Sequence, residues 1–554
     1  MSDADLSQPI LRIDGLTVDF LSDDEPVRAV DNVSFHVCPG ETLVILGESG
    51  SGKSVSTSTV MGLVDCPPGD IVAGAIHFQG MELARLGDEA RRAVNGRRIA
   101  MIFQDPLAYL NPVYTVGRQI AEVYTSHGVA AGAQARARAI DLLRRVGIRE
   151  PETRVDFYPH QFSGGQRQRV MIAMAIALEP DILIADEPTT ALDVSVQAQI
   201  LDLLRDLQRE RRMALILITH DLEVAAAMAD RVIVMNAGQI VEAGPAREVF
   251  TQPRHAYTRK LTTALPHGAA MEQRHRRAPA GRREVLLRVE HLVKEYPLSA
   301  GLFGSKRMLR AVDDVSFELC KGETVGIVGE SGSGKSSMAR LLLRLFDATA
   351  GAAYYQGQDI FRMSDAQMRV FRRKVQMVFQ DPFGSMNPRM NVHDIISEPW
   401  AIHGDILPRR RWAGRVAELL ELVGMKPEHA QRYPHQFSGG QRQRIAIARA
   451  LASEPELVVC DEAVSALDVS IQAQVIDLLA DLRQRLGLSY LFITHDLPIA
   501  RHFADRILVM QQGKVVEQGE TQAIFERPRH EYTRSLLAAT PRPKWLAADL
   551  PGGA

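Results

Sequence analysis

A duplicated α/β fold, with a parallel sheet at the heart of each half, is predicted by three observations. The chain repeats itself at long range: "YPHQFSGGQRQR" occupies 158–169 and returns letter for letter at 433–444, 275 positions on. Short apolar runs, "ETLVIL" at 41–46, "DILIAD" at 181–186 and "ALILIT" at 214–219, are of the kind that buried parallel strands need. The first of these enters a Gly-rich turn and then a helix, the strand–loop–helix order of an α/β sheet.

The repeat spans whole domains. "ITHDL" at 218–222 recurs at 493–497, and "RHAYTR" at 254–259 returns as "RHEYTR" at 529–534, again 275 apart. "GESGSGKS" at 47–54 recurs at 329–336, 282 apart, so small insertions lie near the start of each half. One is "SAGLFGSKRM" at 299–308, a Gly-containing basic loop with no counterpart in the first half. A chain of 554 residues is too long for one core. The reading gives a first domain at 1–265, a linker at 266–283, a second domain at 284–542 and a tail at 543–554. "PHGAAMEQRHRRAPAGRR" lacks apolar periodicity and is rich in Arg, Gly and Pro, as a flexible, solvated linker is.

Composition narrows the class. At 46% hydrophobic and 24% charged the chain reads as globular, and a net charge of −2 gives no global sign of a nucleic-acid partner. No apolar run approaches the ~18–20 residues needed to cross a bilayer. The opening "MSDADLSQPI" is acidic and does not read as a signal peptide. Cys38, Cys66, Cys320 and Cys460 form no CxxC pair, which argues against disulfides, zinc and iron–sulfur clusters. The expected location is cytoplasmic.

The elements follow in order. A strand at 41–46 leads to a helix from about Ser54. Between Pro106 and Arg169 the pattern turns helical and more polar, which predicts an inserted helical subdomain. The strands at 181–186 and 214–219 come next, and "RVIVMNAGQIVEAG" at 231–244 reads as two strands around a Gly turn.

"GESGSGKS" fits GxxxxGK[ST], in which glycines let backbone N–H groups converge on phosphate oxygens at a helix N-terminus. Gly47, Ser49, Gly50, Ser51, Gly52, Lys53 and Ser54 make up one such loop. Gly329, Ser331, Gly332, Ser333, Gly334, Lys335 and Ser336 make up the other. Each lysine is expected to reach the β- and γ-phosphates of a nucleotide, and each final serine to ligate Mg²⁺. "ILIADE" and "LVVCDE" place Asp186–Glu187 and Asp461–Glu462 at the C-terminal ends of apolar strands, where open α/β sheets bind ligands. Neighbouring strand residues face opposite ways, so the aspartates suit Mg²⁺ and the glutamates suit general-base activation of water. "SGGQ" at 163–166 and 438–441 precedes a helix, as an N-cap with open N–H donors.

In this fixed order the motifs resemble, twice over, the nucleotide-binding domain of ABC transporters. The resemblance implies for each half a parallel-sheet core with an antiparallel β subdomain and a helical subdomain, and ATP and Mg²⁺ as cofactors. It makes Ser163, Gly164, Gly165 and Gln166 one signature motif, and Ser438, Gly439, Gly440 and Gln441 the other. Gln104 and Gln380 in "FQDP" match the Q-loop, with a role at the metal. "ALD" at 191–193 and 466–468 matches the D-loop. His220 and His495 match the switch histidine, catalytic beside Glu187 and Glu462. Phe20 and Tyr296 fall where an aromatic stacks on adenine. In this family the domains pair head to tail, so Lys53 would face Ser438 and Lys335 would face Ser163.

Phe162 and Phe437 replace the family's commoner Leu before "SGGQ", and Ala463 stands where the first half has Pro188; the core acids remain, so both sites are expected to hydrolyse ATP. Three classes compete: an importer's energising subunit, a tandem ATPase acting on ribosomes, and a DNA-repair ATPase. The last usually needs zinc-binding cysteines or a long coiled coil, and the second a long, charged helical linker. "PLAYLNPVYTVGRQI", "PFGSMNPRMNV", "PRHAYTRKL" and "PRHEYTRSL" resemble the oligopeptide/dipeptide importer group. That implies two transmembrane permease subunits and a substrate-binding protein as partners, and a peripheral place on the cytoplasmic side of the inner membrane. Tyr109, Tyr114 and Phe383 are candidate docking aromatics.

Overall fold

The computed structural model describes residues 8–21, 26–190, 192–263, 284–298, 307–382, 384–465, 467–541 and 543. The linker expected at 266–283, the tail but for Pro543, residues 299–306 of the extra loop, and Phe383, Ala191 and Ala466 lie outside them. The chain divides into two compact units between residues 263 and 284.

In the first unit the fully buried strand Thr42–Leu46 lies between two parallel neighbours, Ala214–Thr219 and Arg231–Asn236. The six-stranded sheet runs Gln239–Pro245, Arg231–Asn236, Thr42–Leu46, Ala214–Thr219, Ile182–Asp186, Ile99–Ile102. Gln239–Pro245 is antiparallel to its neighbour, and the turn joining them holds Ala237 and Gly238 at φ 47 and 80, the paired positive angles of a tight hairpin. An antiparallel sheet of Val27–Val37, Leu11–Phe20, Gly69–Phe78 and Met81–Glu82 shares one core with it: Leu11, Ile13, Leu16 and Phe78 bury against Leu43, Ile45, Ile184 and Ile216. The helical insertion expected after Pro106 is present as Pro106–Tyr109, Val116–Ser126, Gly132–Arg145 and Pro151–Arg154, leading into Gly164–Ile176.

The second unit repeats the scheme. Its six-stranded sheet runs Val375–Val378, Leu457–Asp461, Ser489–Ile493, Thr324–Val328, Arg506–Gln511, Lys514–Glu520. Arg307 and Met308, read from sequence as loop, begin the strand Arg307–Cys320. Its helical part centres on Trp400, 1% exposed, whose indole N–H donates to the Ala452 carbonyl at 2.7 Å.

Register positions the site. Leu46 lies opposite Thr219, and Asp186 opposite Ile218. Gly47, Glu187 and His220 therefore leave their strands at one edge of the sheet, as do their second-half counterparts through the pairing of Asp461 with Ile493.

Candidate functional site

Each phosphate loop closes on its own lysine. Lys53 Nζ donates to the Gly47 and Glu48 carbonyls, both at 2.8 Å, and Lys335 Nζ to those of Gly329 at 2.7 Å and Glu330 at 2.8 Å. Both lysines are buried, while Ser49, Gly50, Ser331 and Gly332 at the crest are exposed. The helices that follow, Lys53–Met61 and Lys335–Leu342, have no acidic residue in their first turns, so their N-terminal donors stay electropositive. Only glycine fits before each lysine: Gly52 has φ 93, and a Cβ there would sit 2.4 Å from the Ala29 carbonyl. This donor set, cationic and N–H throughout, suits a polyphosphate.

Serine and aspartate meet as the motifs predict. Ser54 Oγ donates to Asp186 Oδ1 at 3.1 Å, and Ser336 Oγ to Asp461 Oδ1 at 2.8 Å. Burial pushes both aspartate carboxyls up, and the serine hydroxyls only partly offset it. A desolvated carboxylate beside a hydroxyl fits a divalent cation.

The glutamates differ from the sequence reading in one respect. The strand ends at Asp186, and Glu187 has φ 47; Glu462 has φ 48. A left-handed turn, rather than strand alternation, directs the neighbouring carboxylates to different partners. Glu187 Oε2 accepts from Gln104 Nε2 and from Thr190 Oγ1, both at 2.9 Å, and Oε1 lies 3.0 Å from His220 Nδ1. Burial alone would raise its carboxyl; His220, Thr190 and the Lys53 charge outweigh that and hold it below its usual value. Glu462 Oε2 accepts from Gln380 Nε2 at 2.8 Å, and Oε1 lies 3.5 Å from His495 Nδ1. The histidine's hydrogen bond lowers Glu462 and raises His495. Ser465 Oγ, the counterpart of Thr190, donates to the Glu462 backbone carbonyl at 2.9 Å instead of to the carboxylate. In both halves burial raises the aspartate carboxyl while hydrogen bonds and nearby positive charge lower the glutamate's, so the two neighbouring acids sit in different environments.

The duplicated dodecamer is a helix start. Ser163 Oγ accepts from Gln166 N at 3.4 Å and Gln166 Oε1 from Ser163 N at 3.1 Å, a capping box repeated by Ser438 and Gln441 at the same distances. Ser163, Gly164, Ser438 and Gly439 are exposed, and neither helix has an acidic first turn. Gly165 and Gly440 are buried: a Cβ on either would lie 2.3 Å from Val196 Cγ1 or Ile471 Cγ2. Phe162 and Phe437 are buried, so the Leu-to-Phe departure is absorbed by packing. Arg169 and Arg444 reach back to the Val146 and Val423 carbonyls of the preceding segment.

The hydrogen-bonded cluster thus joins Ser54, Gln104, Asp186, Glu187 and His220, and their second-half counterparts. Phe20 and Tyr296 stand apart, half-buried at the ends of antiparallel strands; Tyr296 meets Phe346 edge-on at 6.4 Å. Tyr109 is 57% exposed and stacks on Phe103 at 3.9 Å, whereas Tyr114 is half-buried under Arg118. Two contacts escaped the motif reading: Tyr257 and Tyr532 of the repeated "RHxYTR" segments accept hydrogen bonds from the phosphate loops. The signal in sequence was that these segments recur 275 apart, the spacing of the "SGGQ" and "ITHDL" motifs.

Residues 30–190 and 312–465 match the ABC transporter family, and residues 241–288 and 516–552 match the oligopeptide/dipeptide transporter C-terminal region. The chain is 47% identical to the glutathione import ATP-binding protein GsiA of Escherichia coli (strain K12), over 96% of this chain and 89% of that one. It is 48% identical to the peptidoglycan transport ATP-binding protein YejF of Agrobacterium fabrum, over 96% of both. Among solved structures, the ATP-binding cassette MJ0796 aligns with 42% of this chain and 98% of its own at 29% identity, with a TM-score of 0.38.

Replacing both glutamates, Glu187→Gln with Glu462→Gln, keeps volume and removes the carboxylates expected to act as bases. Phosphate release should fall ~10²–10⁴-fold with ATP affinity retained, measured by steady-state hydrolysis alongside equilibrium binding.

Proposed function

The chain belongs to the ABC transporter family, and from that premise we propose that it is the ATP-hydrolysing subunit of a membrane importer for peptides or peptide-like solutes. The observation that carries this reading is the constellation of lysine, serine, aspartate, glutamate, glutamine and histidine at one sheet edge of each half, each followed by a peptide-transporter C-terminal segment. Relatives named for glutathione import and peptidoglycan transport support a cargo of peptide character.

In each half the loop amides and the lysine hold the triphosphate. Ser54 with Asp186, and Ser336 with Asp461, would hold Mg²⁺, with Gln104 and Gln380 contributing. When bound, the ion would supply neutralisation of phosphate charge. Glu187 or Glu462 takes a proton from the water that attacks the γ-phosphorus as the bond to ADP breaks, and His220 or His495 orients that glutamate. The exposed signature helix starts at Ser163 and Ser438 would complete the opposite half's site head to tail, through free N–H donors and the helix dipole. Phe20 and Tyr296 would stack on adenine.

The proposed partners are two transmembrane permease subunits and, through them, a substrate-binding protein, which places the chain peripherally on the cytoplasmic face of the inner membrane. Among the described residues no helix is long and apolar enough to cross a membrane; in the proposed complex the work of hydrolysis passes to the permease subunits. The segment after Gln104, with Leu107, Tyr109 and Val113 exposed, suits a docking helix.

Ser438→Arg should abolish turnover of the nucleotide held by Lys53; photo-crosslinked ATP mapped to each half tests this, and loss confined to the Lys335 nucleotide would refute the pairing. Deleting the gene should abolish uptake of labelled di- and oligopeptides or glutathione, and Lys53→Ala with Lys335→Ala should fail to restore it. Unchanged uptake of all these solutes would overturn the importer reading.

A further inference from the structure

The C-terminal segments are bound into the nucleotide sites. Glu48 N–H donates to Tyr257 Oη at 3.3 Å, and Glu330 N–H to Tyr532 Oη at 3.1 Å. The carbonyl of that same peptide unit, on Gly47 or Gly329, accepts from the loop lysine at 2.8 or 2.7 Å. One peptide plane at the start of each phosphate loop is therefore held at its carbonyl by the lysine and at its N–H by a tyrosine. A lysine that turns to a phosphate loosens the first hold and leaves the tyrosine as the second.

The tyrosines are seated rather than loosely placed. The two oxygens of Glu242, on the hairpin strand Gln239–Pro245, accept from the backbone N–H of Arg254 at 2.8 Å and of His255 at 3.0 Å. Burial alone would raise this carboxyl; the Arg254 amide, the Thr258 side chain and His255 together hold it below its usual value. His255 Nδ1 accepts from Tyr257 N at 3.2 Å, which starts the helix Ala256–Thr263, and the Arg259 guanidinium donates to the Arg254 carbonyl. The second half repeats each contact: Glu517 accepts from Arg529 N at 2.8 Å and His530 N at 3.0 Å, His530 Nδ1 from Tyr532 N at 3.2 Å, and Arg529 O from Arg534. "RHxYTR" thus encodes a seat, a helix cap and a hydroxyl aimed at the loop, built twice in the same form.

We propose that Tyr257 and Tyr532 are positioning residues for ATP: their hydroxyls hold the phosphate loops in the shape that receives the triphosphate and couple the C-terminal helices to nucleotide occupancy. This rests on the ATP-binding reading above. Coupling is reciprocal, so if the helix supports binding, binding must steady the helix.

The test uses the full chain with Tyr257→Phe and Tyr532→Phe, which remove only two hydroxyls. Titration with Mg-ATP should show Kd raised about three- to tenfold, the effect of one net hydrogen bond per site. KM should rise with Kd, and the gain in melting temperature that saturating Mg-ATP gives the wild type should shrink in the double variant. In the wild type, Mg-ATP should slow amide exchange over 254–263 and 529–538, and in the double variant this protection should shrink. Equal Kd values in the two proteins, or wild-type exchange in those segments indifferent to Mg-ATP, would overturn the proposal. Failure of the wild type to bind ATP at all would overturn the underlying reading and the coupling with it.

Discussion

A lysine ammonium buried beneath a loop of backbone amides sets the terms for each half. Lys53 and Lys335 are 5% and 4% exposed, and a desolvated cation is costly unless it is partnered. The loop carbonyls satisfy its hydrogen bonds without cancelling its charge, so the site keeps a demand for an anion. Wrapping carbonyls around an ammonium requires the chain to turn tightly against the neighbouring strand, which forces a left-handed glycine before the lysine. The strand that feeds each loop is flanked on both sides by parallel neighbours, and Thr42–Leu46 and Thr324–Val328 carry no exposed residue. Adjacent strands in register then deliver the carboxylates and the histidine to the same edge.

The two halves share this skeleton and differ in how firmly the base is held. In the first, Glu187 has glutamine, threonine and histidine within hydrogen-bond reach. In the second, the serine that replaces Thr190 turns to the backbone, and the histidine stands farther off. Proline at 188 and alanine at 463 are both buried, so the substitution changes backbone freedom more than packing. The order of motifs in the chain therefore does not by itself make the sites equal.

Much of the site was legible because its chemistry sits where strands meet helices. Apolar runs mark the strands, and the Gly-rich and Asp-Glu motifs fall at their ends, so Ser54 and Asp186 could be paired on motif order although 132 residues separate them. What escaped was geometry without a local signature. The positive φ of Glu187 leaves no mark in a sequence that has glutamate there. Tyr257 lies 209 residues from the amide it binds, and a tyrosine in a short polar segment reads as an ordinary surface aromatic. Local spacing gives no view of which loop a distant helix will touch.

The proposed function requires two ATP sites in one chain, one on each loop lysine. Equilibrium dialysis of labelled Mg-ATP against the chain carrying Glu187→Gln and Glu462→Gln counts them directly. Two nucleotides should bind per chain, Lys53→Ala should leave one, and adding Lys335→Ala should leave none. A stoichiometry that the lysine substitutions do not change would contradict it.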